Sequence, residues 1–442
     1  MIRVLFFLLH LFLWLPLSVC ALEHQDFTLD NGLRVILVRE AKAPIFIAQI
    51  WYRVGSIDET DGKSGLAHML EHMMFQGTPA IPAGEFHRRI AQQGGEDNAF
   101  TSYDATCYYI KLASDRAALA LQLESDRMQH LSLLEESFRS ENQVVQEERR
   151  SRTDADPNAR FLEQLRKKAF GDHPYGRPII GWMDDIQRLT TEDLRAWHRR
   201  YYAPNNAILV MVGDLELAAM AQQVRDAFAA IPAQAAPPVP LLPEPVAVDG
   251  PQRLLQTDRS VTLPLWYGAY PVPSWNSAQG EDVLALELLA TILGDGSSSR
   301  LHQRLVLQDS LAVSTSAHYG GYARSWELFT LEATPTADGA AAALPRIEQV
   351  ILEEVERISR EPVSARELQR AKNSMIAQHV YSHDSIHALA SAIGTLSSTG
   401  IPWQTVIEHY PERLEAVQAS DVQRVAARYL RLERLTIGVL QP

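Results

Sequence analysis

The two halves of this chain close in the same way. Asp193 opens a run that reads as a helix, a Tyr201-Tyr202 turn and an apolar strand ending near Val212. Asp421 opens a second such run, with Tyr429 again eight residues on and an apolar strand again following. Between the halves, residues 230–250 are too rich in proline for helix or sheet and read as a semi-rigid linker. A repeat of so long a period fixes the architecture before any local detail does. It predicts two homologous lobes, residues 22–229 and 251–442, arising by internal duplication. Each mixes strands (33–38, 46–53 and 207–212 in the first) with long amphipathic helices such as 114–131. The expected class is α+β, each lobe a mostly antiparallel sheet packed with helices.

The 442 residues are 46% hydrophobic, enough for a large core. Arg3 precedes an apolar run over 4–17, and the small residues Val19 and Ala21 follow at the positions a signal peptidase inspects. Residues 1–21 therefore read as a secretory signal, and the mature protein is expected to be periplasmic or secreted. The alternative is an uncleaved anchor. Val19 is a poor residue before Cys20 for lipidation. No later segment is apolar for long enough to span a bilayer, so no stable membrane insertion is expected once the signal is removed. Cys107 is then the only cysteine, which leaves no disulfide within the mature chain. With 41 basic against 54 acidic residues the net charge is −13, which argues against a nucleic-acid partner.

The chemistry is concentrated at His68-Met69-Leu70-Glu71-His72. Histidines four apart project from one face of a helix and can share one tetrahedral cation. Glu71, three after His68, shares that face and can reach a metal-bound water. The order is H-x-x-E-H, the inverse of the commoner zinc-protease signature. Zinc needs a third protein ligand and an open position for water. Residues 137–153 hold no proline or glycine and read as a helix on which Glu141, Val144, Val145 and Glu148 form one stripe. At about 100° per residue Glu148 returns to within roughly 20° of Glu141, while Glu147 points away. The stripe looks buried, and two carboxylates flanking two valines on it need a cation to offset their desolvation. That makes Glu148 a candidate ligand and Glu141 a carboxylate that orients a ligand. The other reading is a solvated acidic face.

His68, Glu71 and His72, with Glu148 76 positions later and Glu141 seven before it, resemble the inverzincin site of the pitrilysin/insulinase family, whose relatives include mitochondrial processing peptidase. The likeness continues through Ser64-Gly65-Leu66-Ala67, Phe75-Gln76-Gly77-Thr78, His173-Pro174-Tyr175-Gly176-Arg177 and the Tyr201 to Asp214 block. The run from Asn98 to Asp104 resembles the family's substrate-facing strand. The resemblance implies a zinc endopeptidase with one ion per chain, His68, His72 and Glu148 as ligands, and Glu71 as general base. It also implies that Asn98 and Ala99 pair with an extended peptide substrate by β-augmentation. For Asn98 the alternative is a turn residue after Gly94-Gly95.

Two departures carry information. Setting Gly77 on Gly294 places Ala285, Leu288 and Leu289 opposite His68, Glu71 and His72, so the second lobe is expected to bind no metal. Self-sufficient family members carry an arginine and, seven residues on, a tyrosine in the second lobe. Aligning Ser298-Ser299-Arg300-Leu301 puts Val306 and Val313 there, and neither can donate to a developing oxyanion. A register slip would bring in Arg304 or Tyr319 instead. The expectation is the zinc-bearing subunit of a heterodimer whose homologous partner supplies the Arg/Tyr pair, or otherwise a homodimer. A non-catalytic assembly subunit and a zinc hydrolase of non-peptide substrates are the alternatives.

Overall fold

The computed structural model describes residues 22–237, 242, 244–245, 250–277, 282–337, 339–382 and 384–442. The expected signal peptide, 1–21, and part of the linker lie outside the described residues. Among the described residues no helix is long and apolar enough to cross a membrane.

The chain folds as two α+β lobes of matching topology. The first sheet holds β1 (His24–Thr28), β2 (Arg34–Arg39), β3 (Ile45–Tyr52), β4 (Glu96–Thr101), β5 (Thr106–Ala113) and β6 (Ala207–Gly213) in the order β1-β2-β6-β3-β5-β4. The second holds β7 (Gln252–Thr257), β8 (Leu265–Val272), β9 (Ala312–His318), β10 (Glu327–Pro335) and β11 (Thr436–Gln441) in the order β7-β11-β8-β10-β9. With β1 set aside, the two orders superpose strand for strand. Among the described residues each sheet has one parallel pair, β2 with β6 and β7 with β11, and is otherwise antiparallel. The repeated aspartates have a common local role. Asp193 and Asp421 each sit at the third position of a helix and close a capping box, with Thr190 and Gln418 respectively.

Each lobe lends the other a helix. On the outer face of the first sheet, Ile36, Val38, Ile47, Trp51 and Val210 pack against Leu389, Ala390, Ile393 and Leu396 of helix Ile386–Ser398, which comes from the second lobe. In return, helix Pro157–Phe170 of the first lobe, started by Asp156 and Pro157, lies on the second sheet. Both contacts are made at glycine. A Cβ on Gly394 would stand 2.1 Å from the Trp51 indole, and one on Gly438 would stand 2.5 Å from the Phe161 ring. The outer face is apolar because it is covered, which is why all seven residues of β6 are buried.

Polar links reinforce the interlock. Arg324 of the second lobe donates to Asp58 at 2.6 Å and to Asp104 at 3.3 Å in the first, and the Tyr175 hydroxyl also donates to Asp104 at 2.7 Å. The described start of the linker is fixed too, since Gln234 N–H donates to Asn205 Oδ1 at 3.0 Å.

Candidate metal centre

Helix Leu66–Met73 carries the H-x-x-E-H motif and is held rigidly at its start. Gly65 precedes it with φ +86°, and a Cβ there would meet the Ile180 carbonyl oxygen at 2.5 Å. The buried Glu59 carboxylate accepts from Gly65 N–H at 3.0 Å and from Ala67 N–H at 2.8 Å, satisfying two of the helix's free donors. Ala67, Met69, Leu70 and Met73 turn into the core. That leaves His68, Glu71 and His72 on the wall of an open cleft of about 1280 Å³.

The facing wall is helix Glu135–Arg149, which passes into a π-helical turn at Arg150–Asp154. Val145 anchors it in the core, while Glu141, Val144 and Glu148 face the cleft. The expected stripe is thus only half right, because Val144 is 48% exposed on the cleft wall instead of buried beside its neighbour.

Glu148 Oε2 lies 3.3 Å from His72 Nε2 and 3.7 Å from His68 Nε2, and the three ligand atoms all fall within 4.8 Å of one another. Zinc bonds of about 2.0–2.1 Å at tetrahedral angles hold donors about 3.3 Å apart. Glu148 Oε2 is buried and has no hydrogen-bond partner, although its other oxygen pairs with Arg152 at 2.5 Å. A desolvated carboxylate oxygen aimed at two imidazole nitrogens fits a divalent cation. Two nitrogens and one oxygen form a zinc donor set with a position left for water.

The surrounding groups divide the roles. Glu141 Oε2 sits 3.2 Å from His72 Nδ1, and its other oxygen accepts from Gln76 Nε2 at 2.8 Å, so Glu141 orients His72 and stays out of the donor set. Burial, with His72 beside it, pushes His68 down to about 4. For His72 burial is outweighed by the Glu141 and Glu148 carboxylates beside it, which raise it to about 9. Glu148 is held below its ordinary range chiefly by the His72 imidazole beside it. Burial raises the Glu71 carboxyl, against the Thr101 hydroxyl that donates to Glu71 Oε2 at 2.5 Å. A base pushed toward neutrality suits proton transfer at working pH.

Asn98 and Ala99 lie on β4, the edge strand, which among the described residues pairs only with β5 and lines the cleft on its other side. Asn98 Oδ1 accepts from the Ala99 N–H at 2.8 Å. Three residues without a sequence-based role also shape the site. Thr101 shares the strand face of Ala99, and Gln76 follows His72 by one helical turn, so spacing alone could have found both. Glu59, in a loop, offered no such signal.

The second lobe has a counterpart helix, Val283–Gly294, but the sequence superposition is out of register there. Ala285, Leu288 and Leu289 are buried in the core. The residues that face the second lobe's own cleft are Glu287, Ala290 and Thr291, with the spacing of His68, Glu71 and His72. Among the described residues His68, His72 and Glu148 are the one group that could hold a metal ion. Val306 is half-buried and Val313 is exposed on β9. Arg304 is engaged by Asp309, Glu353 and Glu354, and the buried Tyr319 hydroxyl donates to Pro273 O at 2.6 Å.

Comparison with known proteins matches residues 34–182 to the family described as "Insulinase (Peptidase family M16)" and residues 188–375 to "Peptidase M16 inactive domain". The zinc protease PqqE of Helicobacter pylori is 33% identical, over 95% of this chain and 93% of its own length. A probable mitochondrial-processing peptidase subunit beta of Arabidopsis thaliana is 27% identical, over 95% and 78%. The crystal structure of a protease from Helicobacter pylori superposes with a TM-score of 0.87 at 31% identity, covering 95% of this chain and all of that one.

Proposed function

This chain belongs to the insulinase family, peptidase family M16, and from that premise we propose that it is a zinc-dependent endopeptidase acting on extended or unfolded polypeptides. The observation that carries this reading is the unpartnered Glu148 Oε2 lying between two imidazole nitrogens from another helix. His68, His72 and Glu148 would hold one zinc ion per chain. When bound, the ion supplies a Lewis acid that polarises a peptide carbonyl and acidifies water.

The chain's own residues do the rest. Glu71 accepts a proton at the oxygen that Thr101 does not hold and returns it to the leaving amine. The free edge of β4 at Asn98 and Ala99 pairs with the substrate backbone, which favours extended chains over folded ones. Val306 and Val313 offer no donor to the oxyanion, and Arg304 and Tyr319 are tied elsewhere. A homologous subunit supplying an arginine and a tyrosine would complete the site, so the chain is the zinc-bearing half of a heterodimer. The leader over 1–21 directs it to the periplasm or the exterior.

The runner-up is a non-catalytic assembly subunit, favoured by the second lobe's match to a domain described as inactive. The intact donor set and the positioned base weigh against it. A peptide-library digest with the zinc-loaded chain, alone and with a homologous chain bearing the Arg/Tyr pair, tests both readings. Cleavage only in the mixture is expected. Cleavage by the chain alone overturns the heterodimer, and no cleavage in either overturns the peptidase.

A further inference from the structure

The duplicated fold makes a second cleft where the first lobe has its zinc site, and its chemistry is different. A cavity of about 600 Å³ lies between helix Val283–Gly294, the end of β9, and helices Ala365–Ser382 and Ile386–Ser398. Glu287, Ala290, Thr291 and Asp295 face it with the spacing of His68, Glu71, His72 and Gln76. On the opposite helix Met375 and Ser382 stand seven apart, as Glu141 and Glu148 do. The imidazoles and the ligating carboxylate are gone, but the concavity remains.

Glu287 gives this cavity its character. Its carboxylate accepts from the Tyr410 hydroxyl at 3.1 Å and from Tyr322. Among the described residues no basic side chain forms an ion pair with it; Arg413, 4.3 Å over the Trp275 ring, acts on it only from a distance. Burial pushes the carboxyl up to about 7, so a cation held in the cavity would favour its ionised form. The rings of Tyr319, Tyr322 and Tyr410 line the same space, the last stacked on His379 at 4.4 Å, with Met375, Leu396 and Ile407 completing an apolar wall. A carboxylate set among tyrosine rings matches one ligand chemistry. The carboxylate neutralises a cation, and the rings attract it through their quadrupoles.

We propose that this second-lobe cavity binds a small organic cation, a primary or quaternary ammonium carrying an apolar group, with Glu287 as counter-ion and the tyrosine rings as its cage. Its volume falls in the range of small-ligand sites. The occupant does not touch the zinc centre, so the site is independent of the peptidase reading.

Isothermal titration calorimetry of the full mature chain with choline, and with its uncharged isostere 3,3-dimethylbutan-1-ol, tests this. Choline is expected to bind at least about tenfold more tightly than the alcohol. Glu287→Gln, which removes a buried charge and should leave thermal stability intact, is expected to abolish that preference. Tyr410→Leu removes a ring without removing charge and is expected to weaken choline while sparing the alcohol; it also serves should the first variant fail to fold. Equal binding of both probes, binding of neither, or a choline affinity unmoved by both substitutions overturns the proposal.

Discussion

The Thr101 hydroxyl donates to Glu71 Oε2 at 2.5 Å, tying the proposed base to the strand that lines the cleft. Under the proposed mechanism one segment would offer its edge to a substrate and fix one oxygen of the group that moves the proton. Thr101→Val is expected to lower kcat about tenfold, the loss of about 1.4 kcal/mol for a hydrogen bond to a charged acceptor. KM and zinc content should hold, and Thr101→Ser should retain most of the rate. A raised KM with kcat intact would show that Thr101 contacts substrate instead of the base.

Metal analysis separates ligands from base. His72→Ala and Glu148→Gln are expected to lose zinc, whereas Glu71→Gln keeps it and loses peptide hydrolysis. Glu141→Gln, which releases His72 Nδ1, should weaken zinc about 10- to 100-fold. Chelation should remove activity and added zinc restore it. Stoichiometric zinc in His72→Ala would sink the donor assignment.

Glu59 gives a pH signature away from the metal. Burial pushes its carboxyl up to about 8, outweighing the Ala67 and Gly65 N–H donors and the Arg177 guanidinium. Unfolded, it titrates near about 4.3. Between those values the folded chain keeps a proton that the unfolded chain has lost. Its stabilising contribution is therefore full below the lower value and is lost as pH rises through the upper. Relative to Glu59→Gln, the wild type should lose about 1.4 kcal/mol of unfolding free energy per pH unit in that window. Denaturant titrations at about pH 6 and about pH 9 measure it. A flat difference means that Glu59 is ionised in the fold.

Gly394 is the tightest point of the interlock. Gly394→Ala drives a methyl into the Trp51 indole and is expected to cost about 1–3 kcal/mol, read as a lowered Tm. An unchanged Tm would show that the lent helix shifts freely on its sheet.

The sequence carried what is local and periodic. The spacing of His68, Glu71 and His72 names a helix face, and the seven-residue return from Glu141 to Glu148 names a second one facing it. The strand expectations at 33–38, 46–53 and 207–212 match β2, β3 and β6 to within a residue at each end. What escaped is long-range. Nothing near Ile386 says that its helix belongs to the other lobe's sheet, because a covered strand and a lending helix look like any apolar pair. The registration on Gly294 failed because Leu288 and Leu289 fill the core, leaving Glu287 to face the cavity. Val144 failed because a stripe straddling helix and cleft reads the same as one facing inward.

The lent helices also set an order of assembly. As the chain leaves the ribosome, the first sheet's strands are complete at Gly213, but the helix that covers their outer face begins only at Ile386. Until then Ile36, Ile47, Trp51 and Val210 are a bare apolar surface with no local segment to shield it. Contacts of such separation form slowly and leave nascent chains prone to stick to one another. A chain stalled or truncated before its last sixty or so residues would therefore aggregate instead of folding half a molecule.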